Sequence, residues 1–522
     1  MPSVNTPSRV SSPGARYTSS RPSGLHAEST TSRGVTPGDD TRLGVFTDGM
    51  SPTFLVRAGD ATFEDTWGLL MSLPYRALRP DRVLLVGAGA GASVWLAEKH
   101  GATRVDAVEV NPAIPDLLAR WKHFAGDVYD RPGVHLFIED ARRYLADTSA
   151  RYDVIELALA LTGNAHAQPS GMEAHLYTVE ATRLFLRHLT PGGVLVLVHS
   201  DPGNAYRHLL TVLEALEARG IDRERALDGI AVLRDQRPET PYQYLLVVGT
   251  APLPLEVVDG LQLEPAELLW GPGDTAEQRA RLLDRTQLGA TDQDDLSPVH
   301  DDRPYYFQNT KGLIATARAQ PGRLWVLAGA LLLVLVVIVE GREARALVRP
   351  AAVATGAGAA FLCVELALIQ RFTVAAGGML YAVSFVLFGV LAWSAVGALL
   401  LGDRWRRLER GVSWACLAAA LNVAATAWLA KDLAWLEGMS SDAGRFLGIA
   451  LLLAPIGIAI GGPFPVLLAQ HGDPPRRIAA LWAINGAASV AGGIVAVLAL
   501  RVAGSTHALY LAAGAYLAMA AR

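Results

Sequence analysis

A glycine-rich turn between two apolar segments carries the residues best suited to chemistry. Apolar residues 83–86 lead into it, and a second apolar segment, residues 105–108, ends on Glu109. Three glycines lie in the turn: Gly87, Gly89 and Gly91. Glycines let the backbone turn sharply and lie against a ligand with no Cβ in the way. A helix start offers free N–H groups, and a carboxylate after the second strand suits the two hydroxyls of a ribose, so the sequence predicts a site for an adenosine-containing cofactor.

The turn alone leaves the kind of cofactor open. Its Gly-x-Gly-x-x-Ala spacing, with an acid about 20 residues further on, also fits the dinucleotide-binding fingerprint. A third apolar strand, residues 135–138, is followed by Glu139, Asp140 and Ala141, where S-adenosyl ligands usually have their adenine contacted. Asp140 is also placed to be the N-cap of the next helix, and one carboxylate can do both. This strand end, and the Leu-Thr-Pro-Gly-Gly link at residues 189–193, resemble the fold of S-adenosylmethionine-dependent transferases, which implies an S-adenosyl cofactor.

Alternating strands and helices predict the scaffold that positions these residues. A hairpin of residues 43–47 and 53–56 comes first, with Asp48-Gly49 at its turn. Strands are then expected at residues 83–86, 105–108, 135–138, 152–157, 194–198, 229–233 and 242–248, and helices at 176–188 and 204–219. This pattern predicts a doubly wound, Rossmann-like α/β sheet, which binds its ligands at the carboxyl ends of the strands.

Composition narrows the class of protein. The chain has 522 residues and a net charge of −4, which gives no indication of nucleic-acid binding. Its two cysteines, Cys363 and Cys416, lie in apolar runs, so neither a disulfide framework nor a metal site is expected. Residues 1–42 are rich in Ser, Thr, Pro, Gly and Arg and lack the apolar core of a signal peptide. We expect them to form a disordered tail, with an organelle transit peptide as the alternative.

The hydrophobic residues, 51% of the chain, concentrate beyond residue 320. A membrane-spanning helix needs about 20 apolar residues. Seven candidate runs occur, at residues 324–339, 351–369, 379–401, 413–430, 446–468, 478–500 and 502–521. We therefore expect a cofactor-binding domain at residues 43–310 and an all-α transmembrane domain of six or seven helices at residues 311–522.

The side of the membrane on which the cofactor-binding domain lies is ambiguous. Arginines cluster within residues 342–349, 404–410 and 476–477. With seven spans, the positive-inside rule places these loops on one side and the soluble domain on the other. S-adenosyl cofactors are cytosolic, so we expect a cytoplasmic domain attached to a bacterial inner membrane and in contact with its lipids.

Polar residues within the apolar runs suggest a second kind of role. Glu365, Gln370, Arg371 and Asn485 all lie in or beside such runs. A charge at that depth costs at least about 2.5–3.5 kcal/mol and tends to be paired or functional. Prolines and glycines within residues 455–465 break the fifth run, as in transporters, although plain helix bundles have such kinks too.

With these residues in hand, the chain resembles the spermidine synthase (polyamine aminopropyltransferase) family. More closely, it is similar to bacterial membrane-bound spermidine-synthase-like proteins. Besides the glycine turn, the resemblance is carried by residues 46–49 (Phe-Thr-Asp-Gly), 108–112 (Val-Glu-Val-Asn-Pro), 139–141 (Glu-Asp-Ala), 176–178 (Leu-Tyr-Thr), 301–307 (Asp-Asp-Arg-Pro-Tyr-Tyr-Phe) and 364–372 (Val-Glu-Leu-Ala-Leu-Ile-Gln-Arg-Phe).

The resemblance implies a donor and an acceptor. In the family, the aminopropyl group of decarboxylated S-adenosylmethionine passes to an amine, and methylthioadenosine is released. The glycines of the turn are then expected around the cofactor, Glu109 on its ribose, and Asp140 with Ala141 at its adenine. The expected partners are a small-molecule amine or lipophilic acceptor and, for the protein itself, a second copy in a homodimer.

The chain departs from the family at the positions that would bind the amine of the cofactor and the amine of the acceptor. Ala90 stands where the family has an acid that holds the amine of the cofactor. Ala158 stands where a strand-end Asp accepts the proton of the attacking amine, and Thr66-Trp67-Gly68 replaces a Tyr-His-Glu stretch. A cationic amine needs carboxylates to bind and a base to become nucleophilic.

Nearby residues are candidates to replace the missing groups. Glu156 and Tyr177 are the catalytic candidates. Glu173, His175 and Tyr177 flank the loop expected at residues 162–172. Glu156 also fits a structural role as a hydrogen-bonded sheet carboxylate, and His175 fits that of a solvated loop residue.

Three functions follow from these observations. The first is an aminopropyltransferase. The second is a methyltransferase that uses S-adenosylmethionine on a membrane-associated substrate. The third is a non-catalytic nucleotide-binding transporter or sensor, for which Glu365 would be essential.

Overall fold

The computed structural model describes residues 16–17, 25–29, 42–47, 51–60, 62–65, 68–158, 174–237, 240, 242–275, 277–278, 295–306, 344–439, 441–471 and 475–521. The chain divides into two units. The first, the α/β unit, comprises Met1–His300 and Pro304–Asn309, and the second, the helical unit, comprises Asp301–Arg303 and Thr310–Arg522. The Asp-Asp-Arg stretch that precedes the predicted boundary at residue 310 therefore groups with the helices.

A small antiparallel sheet begins the α/β unit. Its strands, in order of pairing, are β1 (Arg16–Tyr17), β2 (Leu25–Ser29), β3 (Arg42–Thr47) and β4 (Ser51–Val56). β3 and β4 form the predicted hairpin, whose turn at Asp48-Gly49 lies outside the described residues. β1 and β2 differ from the predicted disordered tail over residues 1–42. The reason is that β2 pairs with the edge of β3, and an edge strand offers backbone groups for pairing whatever the composition of its partner.

An eight-stranded sheet carries the candidate site. Its strands are β5 (Arg82–Val86), β6 (Arg104–Glu109), β7 (Val134–Ile138), β8 (Tyr152–Ala158), β9 (Leu189–His199), β10 (Ile230–Asp235), β11 (Tyr244–Gly249) and β12 (Ala266–Trp270). Their order is β12-β10-β11-β9-β8-β5-β6-β7. The five strands from β9 to β7 run parallel, and β11, β10 and β12 pair antiparallel with their neighbours. This sheet confirms the predicted Rossmann-like fold, and the strand order reverses between β5 and β8, where such folds form a ligand crevice.

Helices cover both faces of this sheet. They are α1 (Leu69–Leu78), α2 (Ala92–Lys99), α3 (Ala113–Arg120), α4 (Lys122–Ala125), α5 (Ala141–Asp147), α6 (Val179–Arg187), α7 (Pro202–Glu217), α8 (Arg223–Leu227) and α9 (Leu255–Leu261). Side chains of a strand alternate between the faces, so Val154 packs in one core layer with α1 and α2, and Ile155 packs in the other with α6 and α7. Strands covered on both faces read as continuous apolar runs, which is why their positions could be predicted.

The helical unit contains long apolar helices. They are α10 (Ala344–Phe372), α11 (Met379–Trp405), α12 (Gly411–Leu429), α13 (Ala434–Glu437), α14 (Asp442–Ile460), α15 (Pro463–His471) and α16 (Pro475–Ala520). Among the described residues, five spans are long and apolar enough to cross a membrane: Val348–Phe372, Met379–Gly402, Gly411–Leu429, Asp442–His471 and Pro475–Ala520. They cover six of the seven predicted runs, because the last two lie within α16. The first run, residues 324–339, lies outside the described residues.

A break divides α16 and is filled by the Asp-Asp-Arg stretch. Gly504 has a φ of 86°, so two helical segments meet there. Asp302 Oδ1 accepts hydrogen bonds from Ser505 Oγ at 2.6 Å and from Thr506 N at 2.8 Å, and Arg303 Nη1 donates to Val502 O at 3.3 Å. A carboxylate thus caps the start of the second segment and a guanidinium the end of the first, which is the arrangement that helix dipoles favour.

Of the polar residues predicted within the apolar runs, Glu365 and Gln370 are buried, and Arg371 and Asn485 are half-buried. Gln370 donates its amide to Asp302 O at 2.8 Å, and Asn485 donates to Ala354 O at 3.0 Å. Glu365 is 6% exposed, and no described group bonds its Oε1 atom. A transport role for Glu365 stays a prediction.

Candidate functional site

The glycine turn after β5 is shaped by its backbone. Gly87, Gly89 and Gly91 have φ angles of 72°, 52° and 83°, in the region that favours glycine. Gly87 N donates to Val108 O at 2.9 Å, which ties the turn to β6. A Cβ on Gly91 would lie 2.7 Å from Val128 Cγ2. The turn is therefore tightly packed and carries no side chain larger than a methyl group, so a ligand can lie against its backbone.

Glu109 bonds directly to this turn. Its Oε2 atom accepts from Gly89 N at 2.9 Å, and its Oε1 atom accepts from Asn111 N at 2.8 Å. The residue is 9% exposed. Each carboxylate oxygen has a second lone pair, so these backbone bonds orient Glu109 and leave it able to accept from a ribose hydroxyl.

Tyr129 is a residue of the site that sequence reasoning missed. Its hydroxyl donates to Gly89 O at 2.7 Å from a segment 40 residues away. Burial, and then the charge of Glu109, raise the pKa of Tyr129 well above its ordinary value, so it stays a hydrogen-bond donor. A tyrosine in the loop between α4 and β7 carries no local signal of such a contact, which depends on how residues 126–133 pack against the turn.

Asp140 is the N-cap of α5, as predicted. Its Oδ1 atom accepts from Arg142 N at 2.9 Å and from Arg143 N at 3.1 Å. Glu139 N donates to Glu109 O at 3.1 Å, so the end of β7 stands beside the end of β6. The second oxygen of Asp140 takes no part in the cap, which makes the cap compatible with an adenine contact. Ala141 begins α5 and is buried.

The end of β8 lacks a side chain that could act on an amine. Ala158 is its last residue and pairs in register with Val198 of β9. Ala90 in the glycine turn is 4% exposed, and a methyl group at either place can neither bind a cation nor accept a proton. Other parts of the predicted acceptor side lie outside the described residues: Thr66, Trp67 and residues 159–173, with Glu173.

Glu156 is buried beneath the glycine turn. Its exposed fraction is 1%. Ser93 Oγ donates to Glu156 Oε1 at 2.5 Å, and the hydroxyl of Tyr75 donates to Oε2. Burial raises the pKa of Glu156 to about 7, against the opposite effect of these two hydrogen bonds. Of the two roles considered for this residue, the geometry is that of a hydrogen-bonded sheet carboxylate.

Tyr177 lies in a buried aromatic cluster. Its ring stacks on Tyr306 with 4.5 Å between centroids and lies 5.3 Å from His208. His208 Nδ1 is 3.2 Å from His199 Nε2, and burial lowers the pKa of His199 to about 3. Tyr306 donates its hydroxyl to Asn204 O at 2.5 Å. The cluster holds together the end of β9, α7 and the segment at residue 306 with neutral groups.

The two catalytic candidates are not brought together. Glu156 shares a sheet face with Val154, which packs with Tyr75, whereas Tyr177 packs in the layer of Ile155 and Leu157. Each is almost fully buried. The catalytic roles of Glu156 and Tyr177 stay predictions, and they cannot act as one pair across the sheet.

Two further possibilities, a role for His175 and a metal site, do not enlarge the candidate site. His175 begins a 3-10 turn, His175–Tyr177, and its carbonyl oxygen accepts from Arg142 Nη1 at 3.3 Å. Within the described ranges, no group of three or more His, Cys, Asp and Glu side chains could hold a metal ion. The residues gathered at one edge of the sheet are thus those of the glycine turn, Glu109, Tyr129 and Asp140.

Comparison with known families confirms the resemblance for this part of the chain. Residues 68–218 match the family model of the spermine/spermidine synthase domain. A polyamine aminopropyltransferase of Korarchaeum cryptofilum is 28% identical over 125 residues, which are 23% of this chain and 36% of the relative. Polyamine aminopropyltransferase 1 of Pseudomonas aeruginosa is 29% identical over 124 residues, 23% of this chain and 41% of the relative. The matched segment thus spans less than half the length of these relatives.

Solved structures are also similar to this chain. Spermidine synthase from Thermotoga maritima matches 50% of this chain and 83% of its own, with 14% identity and a TM-score of 0.33. Human methyltransferase-like protein 13 in complex with SAH matches 44% of this chain and 95% of its own, with 18% identity and a TM-score of 0.28.

Proposed function

We propose that the α/β unit transfers the aminopropyl group of decarboxylated S-adenosylmethionine to an amine acceptor. One observation carries the proposal: the segment that matches the spermine/spermidine synthase domain, residues 68–218, contains Gly87, Gly89, Gly91, Glu109 and Asp140, and these residues meet at one edge of the sheet. Two relatives bear the name polyamine aminopropyltransferase, which supports the same reaction.

The residues at this edge suit the donor. The backbone of the turn at Gly87, Gly89 and Gly91 would lie against it, Glu109 would accept from its ribose hydroxyls, and Asp140 would face its adenine amino group. The donor, when bound, supplies a propyl carbon activated by a sulfonium. Tyr129 holds the carbonyl of Gly89, and Glu109 holds its N–H group, so the peptide groups before and after Gly89 are both fixed before the donor arrives.

The acceptor must bring a reactive amine. In the transfer, the nitrogen lone pair attacks the propyl carbon, the carbon–sulfur bond breaks, methylthioadenosine leaves, and the nitrogen loses one proton. Ala158 cannot take that proton, and Ala90 cannot pair with the ammonium group of the donor. We infer that the acceptor is a small or lipophilic amine that reaches the site deprotonated, with water as the final proton acceptor.

The helical unit supports attachment to a membrane. Its five long spans have mean hydropathies of 1.6 to 2.2, and large apolar side chains such as Leu380, Phe388 and Leu399 are more than 75% exposed. Such side chains are stable where acyl chains replace water. We propose a bacterial inner-membrane protein whose α/β unit lies in the cytoplasm, where S-adenosyl compounds are made.

Calorimetry on the full chain in detergent, combined with product analysis, tests the proposal. We expect decarboxylated S-adenosylmethionine to bind more tightly than S-adenosylmethionine, and a linear diamine to release methylthioadenosine. Asp140→Ala should weaken binding, and Asp222→Ala, which removes the N-cap of α8 in the same way, should not. Release of S-adenosylhomocysteine would indicate methyl transfer, and binding without product a sensor or transporter; either result would contradict the proposal.

A further inference from the structure

Glu156 is an acidic residue whose neighbours on the adjacent strands are apolar. In register, its neighbours are Leu85 of β5 and Val196 of β9. Leu85 lies two residues before the glycine turn. Glu156 is therefore an ionisable group inside the core layer that supports the candidate donor site.

The elements packed over Glu156 present two polar groups to it. α1 contributes the hydroxyl of Tyr75, 0% exposed, and the first turn of α2 contributes that of Ser93, 7% exposed. Both hydroxyls donate to the carboxylate. Ser93 lies two residues after Gly91, so Glu156 bonds directly to the helix that begins at the glycine turn.

The position of Glu156 along β8 gives it a second property. Ala158, the last residue of β8, lies two residues further on, about 7 Å along a strand. The acids that the family resemblance implies at positions 90 and 158 are both alanines. Glu156 is thus a carboxylate on the strand whose last residue lacks the expected acid.

We propose that Glu156 is a positioning residue that holds the start of α2 through Ser93 and whose ionisation is coupled to binding of the donor's sulfonium cation. This inference rests on the proposed function, because it requires a cationic donor at the glycine turn. The coupling is reciprocal: a nearby cation favours the carboxylate, and the carboxylate favours the cation by the same factor.

The sign and size of the coupling follow from charge. With a pKa of about 7 in the free protein, Glu156 is mostly neutral at pH 6 and mostly ionised at pH 8. Two unit charges about 10 Å apart in a medium of effective dielectric constant about 20 change a binding constant roughly ten-fold. We therefore expect donor affinity to rise roughly five-fold from pH 6 to pH 8, with release of about 0.4 proton per donor bound at pH 7.

Binding calorimetry on the full chain tests this coupling. Decarboxylated S-adenosylmethionine and methylthioadenosine, which has a neutral thioether in place of the sulfonium, are compared at pH 6, 7 and 8 in buffers with different ionisation enthalpies. The expected result is a pH-dependent affinity and proton release for the sulfonium compound and neither for the thioether. Equal pH dependence for both compounds, or none for either, would overturn the inference.

Variants assign the proton to Glu156. Glu156→Gln should abolish the proton release, while Glu267→Gln, the same change in the strand β12, should retain it. Ser93→Ala removes a bond that stabilises the ionised form, so it should move the rise in affinity to higher pH. This second variant decides the matter if Glu156→Gln does not fold. Unchanged proton release in Glu156→Gln, or an unchanged profile in Ser93→Ala, would contradict the assignment. Failure of the unaltered protein to bind either compound at any pH would instead overturn the proposed function, and this inference with it.

Discussion

The two halves of the candidate site depend on different parts of the polypeptide. The donor half, defined by Gly87, Gly89, Gly91, Glu109 and Asp140, is held mainly by bonds to backbone groups. The acceptor half, defined by Ala158 at the end of β8, depends on a side chain alone. Backbone geometry changes only when the fold changes, whereas a side chain is lost by one substitution. The difference suggests that this chain kept the means to hold a donor while its acceptor chemistry changed.

The largest effect is expected in the donor half, from Gly91→Ala. A Cβ at this residue would lie 2.7 Å from Val128 Cγ2 with φ at 83°, so the turn must move. We expect donor affinity to fall more than 100-fold in calorimetry, in line with a backbone strain of about 1–3 kcal/mol plus a steric clash. Gly59→Ala is the matched control, since its φ is 79° and its Cβ meets nothing within 4 Å. Equal losses in both variants would mean that strain alone, and not the shape of the turn, is responsible.

Glu156 makes the stability of the folded α/β unit pH-sensitive. Its folded pKa of about 7 exceeds the ordinary 4.5, so its stabilising neutral form is fully present below pH 4.5 and is lost as the pH rises through 7. The loss amounts to about 3 kcal/mol. We expect Glu156→Gln to remove most of the fall in thermal unfolding midpoint between pH 5 and pH 8, and Glu267→Gln to keep it. A midpoint that falls equally in all three proteins would place the pH dependence elsewhere.

Restoring an acid at the end of β8 tests the comparison directly. A general base contributes about 10²–10⁴-fold to a proton transfer, so Ala158→Asp should raise turnover with a linear diamine about 100-fold at pH 7. Ala158→Asn, which has the same shape without the charge, should not. Methylthioadenosine release measures both. An increase with Asn as well would show that size, and not basicity, limits the reaction.

A smaller effect is expected from Glu109→Gln. The amide nitrogen cannot accept a hydrogen bond, so either Gly89 N or Asn111 N loses its partner. A bond to a charged group contributes about 1.5–3 kcal/mol, and we expect donor affinity to fall at least about ten-fold by calorimetry. Glu139→Gln, at the end of the next strand, is the comparison variant. If it weakened binding as much as Glu109→Gln, the donor half would depend on overall charge and not on this carboxylate.

The donor half could be predicted because its signals are local. Three glycines lie within five residues, and acids directly follow apolar strands. Each of these features can be recognised from a short stretch of sequence. Tyr129 could not be predicted, because its contact with Gly89 joins segments 40 residues apart. The bond between Tyr75 and Glu156 spans 81 residues and follows from how α1 lies on the sheet, which no periodicity reveals.

In the helical unit, too, the local features could be predicted and the contacts between distant residues could not. The apolar runs predicted the helices by length, and the last two runs were expected to separate between residues 500 and 502. The helix continues past Arg501 to Gly504, because the break is set by the residues that fill it. Nothing in the sequence around Asp302 predicts that its side chain caps a helix some 200 residues later. The sequence indicates only a family motif there.

The cap at Gly504 has a consequence for the order of synthesis. A chain is made from its N-terminus, so the carboxylate of Asp302 exists before Ser505 and Thr506 are added. A Cβ at Gly504 would lie 2.8 Å from Asp302 O, so the glycine fits against a residue that was already there. The final helical segment can therefore be capped as soon as it emerges, without waiting for any later part of the chain.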